Sequence, residues 1–313
     1  MSYYRVTSNG VEPSDKVEGN WLVLEEDKFS KATLLKMVDE FSLPKELFSA
    51  RNAAEEVSRL EYLRDTRLND PISLVLVDLK ADTKRTIEER LEPVTIVKSN
   101  ELLITHVCQG SSLIDHLLQR EQNNIKNFEQ VIAHLAYTTY NHFIAELANI
   151  KRTIDDLDQA ARGKSGKDEL VRLTDTQRKI VYIDQTLQDQ RETLDELMKN
   201  ETFLRKLADE KISYDIKLRQ RHAEKMIGVY RDLLDSISDL FVSIMDRSLN
   251  NLMKYLDSAA LIISIPSLFA GIWGMNVGGL PGTKSKLAFL LVMLISVLVS
   301  IVFGIYLRNK DYS

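Results

Sequence analysis

Residues Ser258–Val277 read SAALIISIPSLFAGIWGMNV, twenty residues without a charge. Leu287–Leu307 follows as LAFLLVMLISVLVSIVFGIYL, 21 residues and again uncharged. As helices each is about 30 Å long, the thickness of a bilayer's hydrocarbon core. Buried helices of soluble proteins are seldom this long and this uniformly apolar. The spacer GGLPGTKSK at 278–286 reaches only across one interface. The reading is therefore a hairpin of two transmembrane helices, 258–277 and 287–307, joined by an outer loop at 278–286.

Flanking charges orient this hairpin weakly. Arg247 and Lys254 precede it and Arg308 and Lys310 follow it, but Lys284 and Lys286 sit in the loop. The long polar N-terminal region gives the stronger argument, since MSYYRVTSNGVEPSDK has no apolar export signal. A multi-pass protein of the cell inner (plasma) membrane with both termini cytoplasmic is expected, including the tail 308–313. Trp273 then marks the outer interface, and Tyr255 and Tyr306 the inner one.

The bulk numbers agree with a cytoplasmic body. Lys and Arg total 41 against 46 Asp and Glu, a net charge of −5, with no basic arm to bind nucleic acid. The single cysteine, Cys108, excludes a disulfide framework within the chain. Pro13, Pro44, Pro71 and Pro93 fall in the first hundred residues and none follows until Pro266, which places a boundary near Gly110.

Residues 1–110 read as an α/β domain. Strands are expected at Asn20–Leu24, Ile72–Leu79, Pro93–Lys98 and Glu101–Cys108, and helices at Lys31–Phe41, Ala53–Leu63 and Ser112–Arg120. Residues 111–199 read as a helical hairpin. Its first helix, Asn123–Ala161, has an apolar face from Phe128 to Leu157. Its second, Asp168–Met198, carries Leu173, Ile180, Leu187 and Leu194 at a strict seven-residue spacing. From Asn200 no strong stop appears before Asn276. A stalk helix at 200–257 is thus expected to run on into the first span, about 115 Å in all. The fold class is an α+β membrane protein.

One face of that long helix is unusual. Alternating steps of four and three from Asp239 pass through Ser243, Asp246, Asn250, Met253, Asp257, Ala260, Ser264, Ser267, Gly271 and Gly274. The face is small or polar almost throughout, even inside the apolar span. Small residues also serve close helix packing. Asp239, Asp246, Asn250 and Asp257 extend the stripe below the span, however, and carboxylates are at ease around water and a cation rather than dry against copies of themselves. Two helices cannot enclose a channel, so a homo-oligomeric ring is required. Met253 and Leu256 lie where the stripe meets the membrane, as an apolar collar able to close a path by dewetting. Pro266 removes one backbone hydrogen bond in mid-span.

The tripeptide Gly274-Met275-Asn276, ending the first of two C-terminal spans after LFAGIW, resembles the signature of the CorA family of divalent-cation transporters. The resemblance covers essentially the whole chain. It implies a funnel-shaped homopentamer in the lipid bilayer, with the first span lining the pore and no catalytic activity. Mg²⁺ is the implied ion, both transported and regulatory, with possible Co²⁺ or Ni²⁺ transport and no organic cofactor. Gly274, Met275 and Asn276 match the outer mouth, where ring-arranged amide oxygens hold a hydrated ion that sheds water reluctantly. Gly271, Ser267, Ser264, Leu256, Asn250 and Asp239 match the family's pore-lining positions, joined by Asp246 and Met253 from the stripe. Asp82 and Asp215 best match its regulatory metal pair between subunits. Where many members have an acidic turn after the motif, this chain has two lysines and no acid. The zinc-transporting branch shares fold and motif.

The sequence contains no Walker loop, GxGxxG or HExxH. Transport would be passive, driven in part by a membrane potential worth about 4.6 kcal/mol per 100 mV for a divalent ion. The five histidines form no i, i+4 pair, and His106 with Cys108 reads as core packing. A competing class is a membrane-anchored sensor or scaffold, which needs no polar face on its anchor.

Overall fold

The structure is a computed structural model that describes residues 1–26, 28–48, 56–82, 85–163, 167–275 and 286–309. The chain divides into two compact units, Met1–Ser238 and Asp239–Ser313.

The first unit is built on a seven-stranded sheet of order β2-β1-β3-β7-β6-β5-β4. The strands are β1 (Ser2–Thr7), β2 (Gly10–Ser14), β3 (Trp21–Glu25), β4 (Arg59–Tyr62), β5 (Ile72–Leu79), β6 (Leu91–Lys98) and β7 (Leu103–Val107). Only β3 and β7 pair in parallel; every other neighbouring pair is antiparallel. Every residue of β5 is buried, as its unbroken apolar run requires of a strand covered on both faces. Period-two alternation sorts the side chains. One face carries Leu22, Leu24, Val97 and Ile104, which pack against Met37 and Val38 of α1 (Lys31–Phe41). The opposite face carries Trp21 and Thr105, joined by an indole-to-hydroxyl hydrogen bond of 3.0 Å, and Leu74, Leu76 and Asp78.

Two short helices, α2 (Ile87–Arg90) and α3 (Leu113–Glu121), precede α4 (Phe128–Ala161) and α5 (Lys167–Leu197). Helix α4 packs on β5 and against α5, and the seven-residue ladder Leu173, Ile180, Leu187 and Leu194 is buried throughout. Thr139 interrupts the apolar stripe of α4 at no cost, because its hydroxyl donates to the Leu135 and Ala136 carbonyls at 3.2 and 2.8 Å.

Three sequence expectations are corrected. Ala53–Leu63 was expected as a helix; Ala53–Glu55 lie outside the described residues, and Arg59–Tyr62 is edge strand β4, paired with Ile72–Val75. Four residues are too few to tell one period from the other, and pairing with β5 decides between them. The edge strand β2 and its neighbour β1 were not foreseen, being short and alternating too weakly to stand out. The third correction concerns the helix expected from Asn200. It begins instead as α6 (Glu201–Leu207), which ends at Ala208 in a left-handed conformation with φ 47°. The Ala208 N–H donates to the Leu204 carbonyl, and Asp209 Oδ1 then accepts from the Ile212 N–H at 3.0 Å, opening α7 (Glu210–Trp273). The stop needs neither Gly nor Pro and so left no strong mark in the sequence.

A buried ion pair fastens α4 to the sheet side of α2. Arg90 meets Glu146 in two parallel bonds of 2.8 and 2.7 Å, with side chains 3% and 7% exposed. Burial pushes the Glu146 carboxyl up, but the Arg90 hydrogen bonds and charge outweigh it and hold the group below the usual carboxylate range. The pair's contribution is therefore present above the unfolded pKa and is lost as pH falls through the lower folded one. Arg90→Met leaves a buried carboxylate without a partner and should cost about 3–5 kcal/mol. Chemical denaturation of the solubilised full chain checks this, and the deficit should shrink in acid as Glu146 protonates.

Candidate functional site

The second unit holds the C-terminal part of α7 and α8 (Lys286–Asn309). Both are long and apolar enough to cross a membrane, and only 0% and 11% of their apolar windows are buried within the chain. Core helices of a soluble protein would be mostly covered; these are not. Their contact uses small residues on α8. Ser296 and Ser300 are buried there, each hydroxyl donating back to its own helix, to the Met293 and Ser296 carbonyls. At Gly304 an added Cβ would stand 3.4 Å from Cδ1 of Ile262. Ser296, Ser300 and Gly304 are spaced by four and form the one face that α8 turns towards α7.

This contact consumes one face of α7. Ser258, Ala259, Ile262, Ile265, Pro266, Phe269 and Trp273 are half-buried. Within the span the stripe turns away from α8, with Ser267 and Gly274 bordering the groove between the helices, and every stripe residue from Asp239 to Gly274 is exposed in the single chain. Those named as pore-lining, Asp239, Asp246, Asn250, Met253, Leu256, Ser264, Ser267 and Gly271, thus share an unspent face or its margin. Met253 is 51% and Leu256 53% exposed. Ser264 and Ser267 donate to the Leu261 and Ile263 carbonyls at 2.8 and 3.1 Å. Their donors are spent on the helix, and their oxygen lone pairs remain for a water or a cation.

The helix ends at Gly274, whose N–H donates to the Ala270 carbonyl at 2.9 Å. A Cβ at this position would sit 2.9 Å from that same carbonyl oxygen, so the motif's first residue fits as glycine. Met275 is exposed. Asn276 and the loop 277–285 lie outside the described residues.

In the first unit, half-buried Asp82 follows β5 and forms an ion pair with Arg85 at 3.3 Å. Asp215 is half-buried near the start of α7. Among the described residues no group of three or more His, Cys, Asp or Glu side chains is placed to hold a metal. His106 packs edge-on to Phe29 and Phe48, and burial drives its pKa down. Burial, with Glu92 and Glu26 nearby, pushes the Cys108 thiol up to about 12, so it remains un-ionised. Sequence reasoning missed the linkage of Asp78, His142 and His116, which come from β5, α4 and α3. Their separations of 64 and 26 residues leave no local spacing to find.

The family model for the CorA-like Mg²⁺ transporter protein matches residues 18–309. This chain belongs to the CorA family. A cobalt/magnesium transport protein CorA of Methanocaldococcus jannaschii is 23% identical over 222 residues, covering 69% of this chain and 70% of that protein. The complete structure of the CorA magnesium transporter from the same organism superposes with a TM-score of 0.78 at 17% identity, over 100% of this chain and 99% of that one. The cytoplasmic domain of ZntB from Vibrio parahaemolyticus matches with a TM-score of 0.64 at 12% identity, over 79% of this chain and 98% of that one. Full-length CorA thus shares this chain's fold from the sheet through both C-terminal helices.

The two helix faces give a paired expectation. Gly304→Leu must wedge α8 away from Ile262 and should lower the melting temperature of the solubilised protein by several degrees. A Cβ at Gly271 meets nothing within 4 Å, so Gly271→Ala should leave stability unchanged or raise it by up to about 1 kcal/mol.

Proposed function

We propose that this CorA-family chain is one subunit of a homopentameric channel for passive uptake of Mg²⁺, with Co²⁺ and Ni²⁺ as further permeant ions. One observation carries the reading: within the span the residues turned towards α8 are half-buried, whereas Ser264, Ser267 and Gly271 stay exposed, and Asp239, Asp246, Asn250 and Asp257 continue that face below the span. Polar oxygens facing hydrocarbon are costly, whereas around a shared aqueous axis they are solvated by water and complement a cation. A ring of copies supplies that axis without any further protein. The magnesium and cobalt named for the archaeal relative favour these ions.

Within this reading Gly274, Met275 and Asn276 form the outer mouth, and Asn276 amides bind the waters of the hydrated ion. Both termini are cytoplasmic, in the cell inner membrane. Asp82 and Asp215 are the regulatory pair, holding an ion between neighbouring subunits and favouring the closed state by binding it better. Two lysines in the outer loop would repel cations at the mouth. That feature, with the fold likeness to the ZntB cytoplasmic domain, keeps Zn²⁺ as the second reading.

Native mass spectrometry of the solubilised protein should show five copies, and purified protein in liposomes should pass Mg²⁺. Asn276→Ala should abolish that flux with the pentamer intact; a dominant dimer, or wild-type flux in the mutant, contradicts the reading. Zn²⁺ flux without Mg²⁺ flux would select the second ion.

The collar is tested separately. Leu256→Ser should raise resting leak, because a polar ring stays wet. If Leu256 instead packs between subunits, the same change should dissociate the oligomer and lower flux. Leak and oligomeric state measured on one preparation separate these outcomes.

A further inference from the structure

Asp78 lies one residue before the end of β5 and is 4% exposed. Its Oδ1 is 2.8 Å from Nδ1 of His142 on α4. Nε2 of His142 is in turn 3.0 Å from Nδ1 of His116, an exposed residue of α3, and the two rings meet edge to face with centroids 5.2 Å apart. A carboxylate accepts only, so Nδ1 of His142 carries the proton and Nε2 is left as a bare lone pair in the neutral ring. This is the carboxylate–histidine arrangement by which metalloproteins fix the tautomer and raise the basicity of a metal ligand. Burial depresses the His142 pKa, but the hydrogen bond and charge of Asp78 more than offset it, against the opposing charge of Arg120 on α3, and the net shift is upward.

We propose that His116 Nδ1 and His142 Nε2 form a binding site for a late first-row divalent cation such as Ni²⁺ or Co²⁺, with Asp78 orienting His142 from behind. Two nitrogens each about 2.1 Å from an octahedral ion, at right angles around it, lie about 3.0 Å apart, which is the separation already present. Binding requires the His116 proton to move from Nδ1 to the exposed Nε2, and the exposed ring to turn so that both lone pairs face one point. No net proton is released from the neutral pair. One proton leaves to solvent when His142 starts charged. Water fills the remaining positions. Imidazole nitrogens suit Ni²⁺, Co²⁺ and Zn²⁺, whereas Mg²⁺ takes oxygen ligands, so the site would distinguish ions that an oxygen-lined path does not. An ion there would staple α3 to α4 and, through Asp78, to the central strand. The site stands independently of the transport reading.

The test uses full-length, tag-free protein in detergent with saturating Mg²⁺ to fill oxygen-lined sites, and titrates Ni²⁺ by calorimetry. One site per chain is expected, weakened more than tenfold by His116→Ala and by His142→Asn, which keeps an N–H for Asp78. Asp78→Asn should weaken it about tenfold, and His222→Ala should not change it. Affinity should fall as pH drops through the raised His142 pKa. Absence of Ni²⁺ binding, or equal binding in wild type and His116→Ala, overturns the site. Should His142→Asn fail to fold, the exposed His116→Ala variant decides alone.

Discussion

A helix in a bilayer must give each of its faces a suitable neighbour. Helix α7 has one apolar face and one lined with Asp, Asn, Ser and Gly. The small residues Ser296, Ser300 and Gly304 bring α8 onto the apolar side, near Ile262. Within the span the oxygens of Ser264 and Ser267 are better served by water or by other copies than by hydrocarbon, and the Asp and Asn residues continue the same face in water below it. On the proposed function, oligomerisation and ion conduction are two consequences of a single packing choice. Were α8 to cover the stripe instead, the chain would be an anchor and no more.

The N-terminal unit depends on a different constraint. Strand β5 is buried along its whole length, so polar groups on it and its neighbours depend on the helices that cover it for partners, and three of them find one there. Asp78 is met by His142, the Val77 N–H by Gln190 Oε1 at 2.9 Å, and Arg90 beside β6 by Glu146. These contacts tie α4 and α5 to the sheet at fixed points, where apolar packing alone would let them slide. Both α4 contacts involve titratable groups, which couples the helix–sheet junction to protons and, on the proposal above, to metal ions.

Local periodicity was a good guide where one element settles its own fate. The Lys31–Phe41 helix, the Ile72–Leu79 strand and the buried seven-residue ladder of α5 all appear where the sequence puts them. It failed where a partner decides. Arg59–Tyr62 is a strand because β5 offers it an edge, and the break at Ala208 arises from a left-handed residue followed by an Asp cap. The stripe was legible because a helix repeats every 3.6 residues and writes each face into the spacing.

The sequence by itself therefore determined the two spans, their uncharged length and the single polar face of α7, since hydrophobicity and helical period are properties of consecutive residues. Only the tertiary structure decided which face of α7 lies against α8, the order in which seven strands neighbour one another, and the meeting of Asp78, His142 and His116. Those residues are 64 and 26 positions apart, and their contact depends on how α3 and α4 are laid against β5. Pairing over such distances is fixed by topology and packing, to which short-range spacing is blind.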